Sequence, residues 1–234
     1  MLREAARIYA KADRAPIMYC LGVTEHHTGT EGVMSLSNMA MMVGKLGKPG
    51  CGVNPIRGQN NVQGACDMGA SPNQFSGYQN IDKPGVLEKF EKAWGVPLSD
   101  QVGCPITHVP HRILHEKEEK KRIHAYYIFG EDPAQSDPDL AEVREALDKC
   151  DFVVMQDIYM NKTGLYADVI LPATAWGENE GIYTCADRGF QRVRKLIEPE
   201  GDMRPDWQII ADISTAMGYP MNYKNTEEIW NEMI

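Results

Sequence analysis

Ala125-Tyr-Tyr-Ile-Phe-Gly-Glu-Asp-Pro133, followed by Phe152-Val-Val-Met-Gln-Asp157 and Val169-Ile-Leu171, decides the fold. Each begins as a short apolar run of the kind that fills buried strands. Between the first two runs lies a helical pattern. Asp137 is its expected N-cap, Pro138 its first position, and Asp139 suits the first turn. Leu140, Val143 and Leu147 give an apolar stripe, and Glu145 and Lys149 pair one turn apart. A short helix over 159–166 is expected before the third run. Two strand–helix–strand steps predict parallel strands with right-handed crossovers. The fold class is α/β, with an open, mostly parallel sheet flanked by helices.

The pattern extends toward the N-terminus. Residues 1–14 read as a helix with Leu2, Ala5, Ile8 and Tyr9 on one face. Ile17–Leu21 reads as a buried strand running into Gly22-Val-Thr-Glu25, where α/β proteins place ligand contacts. Thr28-x-x-Glu31 resembles a capping box. The helix after it carries Val33, Leu36, Ala40, Val43 and Leu46, with Gly47 and Pro49 as its stop. Met34, Met39, Met41 and Met42 are assigned to core filling. Residues 80–85 form a turn, and 86–94 a short helix. The mixed-charge run Glu116–Arg122 is a solvated face.

A chain of 234 residues holds one large domain or two small ones. Its 43% hydrophobic and 24% charged residues are those of a soluble globular protein. No window approaches the roughly 18 apolar residues of a membrane span. A net charge of −9 argues against a nucleic-acid surface. Cys20, Cys51, Cys66, Cys104, Cys150 and Cys185 include no Cys-x-x-Cys pair, and are read as reduced cytosolic thiols rather than a cluster, zinc site or disulfide framework. His108, His111 and His115 lie close together without a convincing further ligand, so no metal site is assigned.

The chemistry concentrates in Arg57-Gly-Gln-Asn-Asn-Val-Gln-Gly-Ala-Cys-Asp-Met-Gly69. One cation, five side-chain amides or carboxylates and three glycines fall within thirteen residues. Amides offer paired donors and acceptors, and a guanidinium forks onto carboxylate or phosphate. The stretch reads as a polar loop for a large, anionic, hydrogen-bonding ligand, although a plain Gly/Asn-rich surface loop shares its composition. Open α/β sheets bind ligands beyond the carboxyl ends of their strands, and three acidic positions are placed there: Glu131/Asp132, Asp157 and, at the start of the next strand, Asp168. Carboxylates there accept from sugar hydroxyls or a guanine edge; a cap or turn role for Asp132 and Asp157 is the alternative. No Gly-x-Gly-x-x-Gly fingerprint is present.

The run from Gly47 to Gly69 resembles the catalytic subunit of formate dehydrogenases, in the molybdopterin oxidoreductase family. The likeness continues through Leu21-Gly-Val-Thr-Glu25, Phe129-Gly-Glu-Asp-Pro133, Gln156-Asp-Ile158, Ala167–Glu178, Ala186–Arg192 and Asp206–Ile210, nearly the whole chain. It implies the cofactor-binding middle of such an enzyme. Residues 1–58 would end one α/β cofactor-binding domain and 59–175 form a second, nucleotide-binding one. Residues 176–234 would pack toward an N-terminal region outside this chain. The implied reaction is the reversible two-electron oxidation of formate to CO₂. The implied cofactor is bis(molybdopterin guanine dinucleotide) with molybdenum or tungsten. Its contacts would be Gly22, Thr24, Glu25, Gln59, Asn60, Asn61, Glu131, Asp132, Gln156, Asp157 and Asp168. Glu25 stands where some family members carry glutamine, and its role is left open. Arg57 would orient formate, with a cofactor phosphate as its alternative partner. Arg188 and Arg192 are assigned to salt bridges or packing.

The family's cysteines for a [4Fe–4S] cluster and its metal-reaching cysteine or selenocysteine followed by histidine do not occur here. The chain therefore reads as an inactive internal fragment that ligates no cluster itself. Expected partners are formate or CO₂, the remaining segments of the catalytic subunit and iron–sulfur electron-transfer subunits, in the cytoplasm. A nitrate reductase or other oxyanion enzyme of the same family is one rival. A non-catalytic cofactor-binding module is the other.

Overall fold

A computed structural model describes residues 1–185 and 189–234. The chain divides into two compact units, residues 1–64 with 184–189, and residues 65–183 with 190–234.

In the first unit, α1 (Leu2–Lys11) leads into β1 (Pro16–Tyr19), then α2 (Leu21–Thr24), α3 (Gly29–Met42) and β2 (Gly52–Pro55). β1 and β2 pair in parallel from Pro16↔Gly52 to Tyr19↔Pro55. A parallel pair needs a crossover, which α2 and α3 supply. α4 (Val62–Asp67) falls inside the stretch 57–69 read as a loop, which is corrected: only residues 56–61 are non-helical between β2 and α4. Lys45 is 4% exposed and donates to the carbonyls of Ala12 and Asp13 just beyond α1. Its charge complements the negative end of that helix and ties the turns that precede the two strands.

Several expectations are corrected here. Thr28 makes no side-chain cap bond. α3 stops at Met42, and Gly44, with φ 65°, supplies the left-handed residue past its end. Val43 and Leu46 thus lie outside the helix. Met34, Met39, Met41 and Met42 are 58, 37, 55 and 85% exposed, so they fill no core in this unit. Leu2, Ile8 and Met18 are exposed too. A two-stranded layer with few helices cannot cover both of its faces.

The second unit opens with the antiparallel pair β3 (Gln74–Phe75) and β4 (Gln79–Asn80), packed on α5 (Val86–Trp94). The Phe75 and Phe90 rings lie 4.5 Å apart, and Phe90 and Trp94 5.0 Å apart. After α6 (Val109–Leu114) come β5 (Ala125–Phe129), α7 (Pro133–Ser136), α8 (Leu140–Lys149), β6 (Phe152–Asp157) and β7 (Val169–Pro172). These three strands form a parallel sheet in the order β5-β6-β7. Ile128, Ala134, Val143, Leu147 and Val153 form its buried core, the larger side chains contributing about 1.5–3 kcal/mol each. β8 (Gly181–Thr184) pairs with β9 (Phe190–Val193), and α9 (Asp206–Ala216) and α10 (Thr226–Met233) close the chain.

Two helix starts differ from expectation. Asp139, not Asp137, caps α8, with φ 54° and its carboxylate accepting the Glu142 N–H at 3.4 Å. The separate turn α7 takes up the preceding residues. Over 159–166 only a single 3₁₀ turn forms, Thr163–Leu165. Asp157 captures the N–H groups of Ile158 and Tyr159, and Asn161 that of Gly164. Side chains that bond local backbone in this way compete with a helix. All six cysteines are free. Among the described residues no helix is long and apolar enough to cross a membrane.

Candidate functional site

β1 and β2 end side by side, and the loop leaving β2 forms the first candidate site. The Ile56 N–H donates to the Tyr19 carbonyl at 2.8 Å, prolonging the pairing by one bond. Arg57 therefore emerges just past the carboxyl end of a parallel pair, where open α/β sheets bind ligands. It lines a cleft of about 660 Å³ together with Met18, Asn54, Gln59, Asn60 and Gln63. Arg57, Gln59 and Asn60 are exposed. One guanidinium, several carboxamides and one methionine suit a ligand that is anionic, flat in part and rich in hydrogen-bonding groups.

Asn61 has a different task. It sits at φ 59°, the left-handed region that asparagine tolerates. Its Oδ1 accepts the Thr184 N–H at 3.0 Å. A Cβ on Gly64 would lie 2.3 Å from that oxygen. This glycine is thus explained by Asn61, not by close approach of a ligand. Gly22, Thr24 and Glu25 are exposed beyond the end of β1 but do not line the cleft.

The carboxyl ends of β5 and β6 carry the second candidate site. Asp132 Oδ1 accepts the N–H and the hydroxyl of Thr163, at 2.9 and 2.7 Å. Asp157 holds the Ile158 and Tyr159 amides on Oδ1, and Asn161 on Oδ2 at 2.9 Å. Asn161 also reaches the Glu131 carbonyl at 3.4 Å. Asp132 and Asp157 thus both bond to the segment that follows β6, Asp157 to residues 158–161 and Asp132 to Thr163. Burial, and then Asp137, raise the Glu131 carboxyl above its ordinary range.

Two of the expected residues face elsewhere. Asp168 Oδ2 accepts the Val153 N–H at 2.7 Å, at the amino ends of the strands. Its place beyond the carboxyl ends is therefore corrected; the side chain completes the ladder before β7 begins. Gln156 is 1% exposed, accepting from the Tyr127 hydroxyl and donating to Asp206 at 2.7 Å. Asp206, Asn161 and Thr163 were not singled out from the sequence. Burial raises the Asp206 carboxyl, the Gln156 bond opposes this, and nearby Asp157 raises it further. Asp206 was legible as a helix start after Pro205, but its partner lies 50 residues away.

The His111 and His115 rings lie tilted to each other with centroids 5.3 Å apart, and His115 lies 4.0 Å from Glu142. No group of three metal-ligating side chains occurs among the described residues. Arg192 pairs with Glu227 at 3.8 Å, while Arg188 lies outside the described residues.

The family model described as molybdopterin oxidoreductase matches residues 4–216. The chain belongs to the molybdopterin oxidoreductase family. It is 54% identical over 99% of its length to formate dehydrogenase H of Escherichia coli (strain K12), covering 32% of that protein. It is 45% identical over its whole length to the F420-dependent formate dehydrogenase subunit alpha of Methanocaldococcus jannaschii, covering 34% of it. The chain thus spans about a third of the length of these relatives. Among solved structures, acetylene hydratase from Pelobacter acetylenicus superposes with a TM-score of 0.68 at 16% identity. That match covers 99% of this chain and 34% of the other. The likeness establishes a shared mixed α/β fold of parallel sheets flanked by helices.

Proposed function

We propose that the chain is the cofactor-binding middle of a formate dehydrogenase that uses bis(molybdopterin guanine dinucleotide) with molybdenum or tungsten. The observation that carries this reading is Arg57, exposed on the wall of a carboxamide-lined cleft at the carboxyl end of β1 and β2. Formate is a minimal carboxylate with almost no apolar surface. Its recognition rests on charge and paired hydrogen bonds, which a guanidinium fork supplies.

The cleft is far larger than formate needs, and its amides fit the hydrogen-bonding edges of a pterin-like group. Gln59 and Asn60 are the residues that would hold such a group beside Arg57. Within the second unit, the acids beyond β5 and β6 are groups that would accept from the sugar hydroxyls or the guanine edge of a nucleotide. There Asp132 Oδ2 makes no hydrogen bond among the described residues, and the charge of Asp157 raises the Asp206 carboxyl. When bound, the cofactor would supply the two-electron redox chemistry. The protein's part is to hold formate by Arg57, fix its orientation and present donors around it. The cytoplasm, iron–sulfur partner subunits and a [4Fe–4S] relay belong to the same reading.

The similarity to two formate dehydrogenases over essentially the full chain favours formate over nitrate or another oxyanion. The test is formate-dependent dye reduction by the intact enzyme with metal and pterin quantified in the same sample. Reduction with formate but not nitrate turnover is expected; nitrate turnover without formate oxidation would defeat the reading.

A further inference from the structure

Arg57, Gly58, Gln59 and Asn60 hang between two anchors. At the near end the Ile56 N–H is fixed to the Tyr19 carbonyl at 2.8 Å. At the far end Asn61 Oδ1 accepts the Thr184 N–H at 3.0 Å, across 123 residues of sequence. Between these anchors a weak turn bond joins the Val62 N–H to the Gln59 carbonyl at 3.4 Å. Arg57, Asn61 and Thr184 all line the same cleft.

We infer that Asn61 is a positioning residue, whose carboxamide pins the far end of the Arg57 loop to Thr184 and so sets the guanidinium for carboxylate recognition. The inference rests on the formate reading for its substrate, and on local geometry for the pin itself. Three features converge on the pin. The left-handed backbone at Asn61 favours asparagine or glycine and disfavours most other side chains. Of those two residues, only asparagine offers an acceptor. Gly64 leaves room for that carboxamide, since a Cβ there would stand 2.3 Å from Oδ1 and 2.9 Å from Cγ. A loop of four residues with one end released samples many more orientations, and misplacement of about 1 Å is enough to cost a reacting group its alignment.

The test uses three single variants and one double. Asn61→Gly keeps the backbone conformation and removes the acceptor. Asn61→Asp keeps both. Gly64→Ala leaves Asn61 in place but pushes its amide off Thr184. The first readout is amide hydrogen exchange at Thr184 in the full 234-residue chain, which needs no cofactor or turnover. Exchange is expected to quicken by about tenfold or more in Asn61→Gly and Gly64→Ala, the order associated with one lost hydrogen bond, and to stay near wild type in Asn61→Asp. The second readout is formate kinetics of the intact enzyme. KM is expected to rise by roughly tenfold in Asn61→Gly with a smaller change in kcat, and to recover in Asn61→Asp. A merely structural role would lower the amount of active enzyme and leave KM unchanged. Combining Asn61→Gly with Gly64→Ala should be no worse than Asn61→Gly alone, because the amide that the added methyl group would strike is gone.

Unchanged Thr184 exchange in Asn61→Gly overturns the pin. Faster exchange with an unchanged formate KM overturns the positioning role. A wild-type enzyme that fails to oxidise formate defeats the proposed function instead, and Thr184 exchange then decides the pin by itself.

Discussion

Asp132 and Thr163 lock the two loops that follow β5 and β6. One carboxylate oxygen, Oδ1, takes both the backbone N–H and the hydroxyl of Thr163, at 2.9 and 2.7 Å. The same hydroxyl oxygen accepts the Ala134 N–H at 3.1 Å. Thr163 is 0% exposed, so no water can replace these bonds. Thr163→Val keeps the shape, removes one of the two donors to Asp132 and strands the buried Ala134 N–H. It should cost about 1–3 kcal/mol in chemical denaturation, the penalty for an unsatisfied buried polar group. A change under about 0.5 kcal/mol, small beside that penalty, would show that the loops are held by other means.

His124 carries the clearest pH signature. Its Nδ1 lies 2.7 Å from Asp151 and its Nε2 2.9 Å from Glu119. These two carboxylates, Asp151 first, raise the imidazole above its ordinary value of 6.5. A raised folded pKa means that the stabilisation is fully present below 6.5 and is lost as pH rises through the folded value. An NMR titration should find His124 above 6.5 in the wild type and lower in Asp151→Asn. Equal values in the two proteins would rule out the pairing.

Asp206 should show the opposite trend to a salt-bridged acid. Burial places its folded pKa above the ordinary 3.8. In the window between the two values the folded state holds more protons than the unfolded one. Stability therefore falls as pH rises through that window. Asp206→Asn retains an acceptor for Gln156 and removes the charge, so its stability should fall less than that of the wild type over the same window. Parallel pH profiles would contradict the assignment.

Gly69 and Gly22 make a paired test of backbone. Gly69 has φ 87°, and a Cβ there would stand 2.7 Å from the Phe75 carbonyl carbon. Gly22 has open space within 4 Å of its Cβ position. Gly69→Ala should destabilise by more than about 1 kcal/mol, adding a clash to left-handed strain, while Gly22→Ala should be near neutral. Equal thermal shifts would refute this placement of the turn.

The sequence carried the strands of the larger sheet, because Ile128, Val153 and Met155 sit in short apolar runs whose burial the fold requires. It carried the exposure of Arg57 on a cleft as well, since a guanidinium among carboxamides has no place in a core. What it could not carry was set by distant partners. Gln156 and Asp157 are adjacent in sequence and similar in polarity, yet one is sealed against Tyr127 and Asp206 while the other organises a surface turn. Asp168 was grouped with the other acids by type, but the strand direction puts it at the opposite end. The methionines of α3 were assigned to core filling by their apolar type, which does not say what covers them, and they are exposed.

Substitution of Arg57 by lysine in the intact enzyme tests the central claim most directly. Lysine keeps the charge and loses the planar fork. A charge-assisted contact is worth about 1.5–3 kcal/mol, so formate turnover should fall on the order of ten- to a hundredfold. Pterin and metal content should stay at the wild-type level, because Gln59, Asn60 and the acids beyond β5 and β6 are untouched. Cofactor content falling in step with turnover would make Arg57 a cofactor ligand instead. Turnover and cofactor content both at the wild-type level would contradict the account outright.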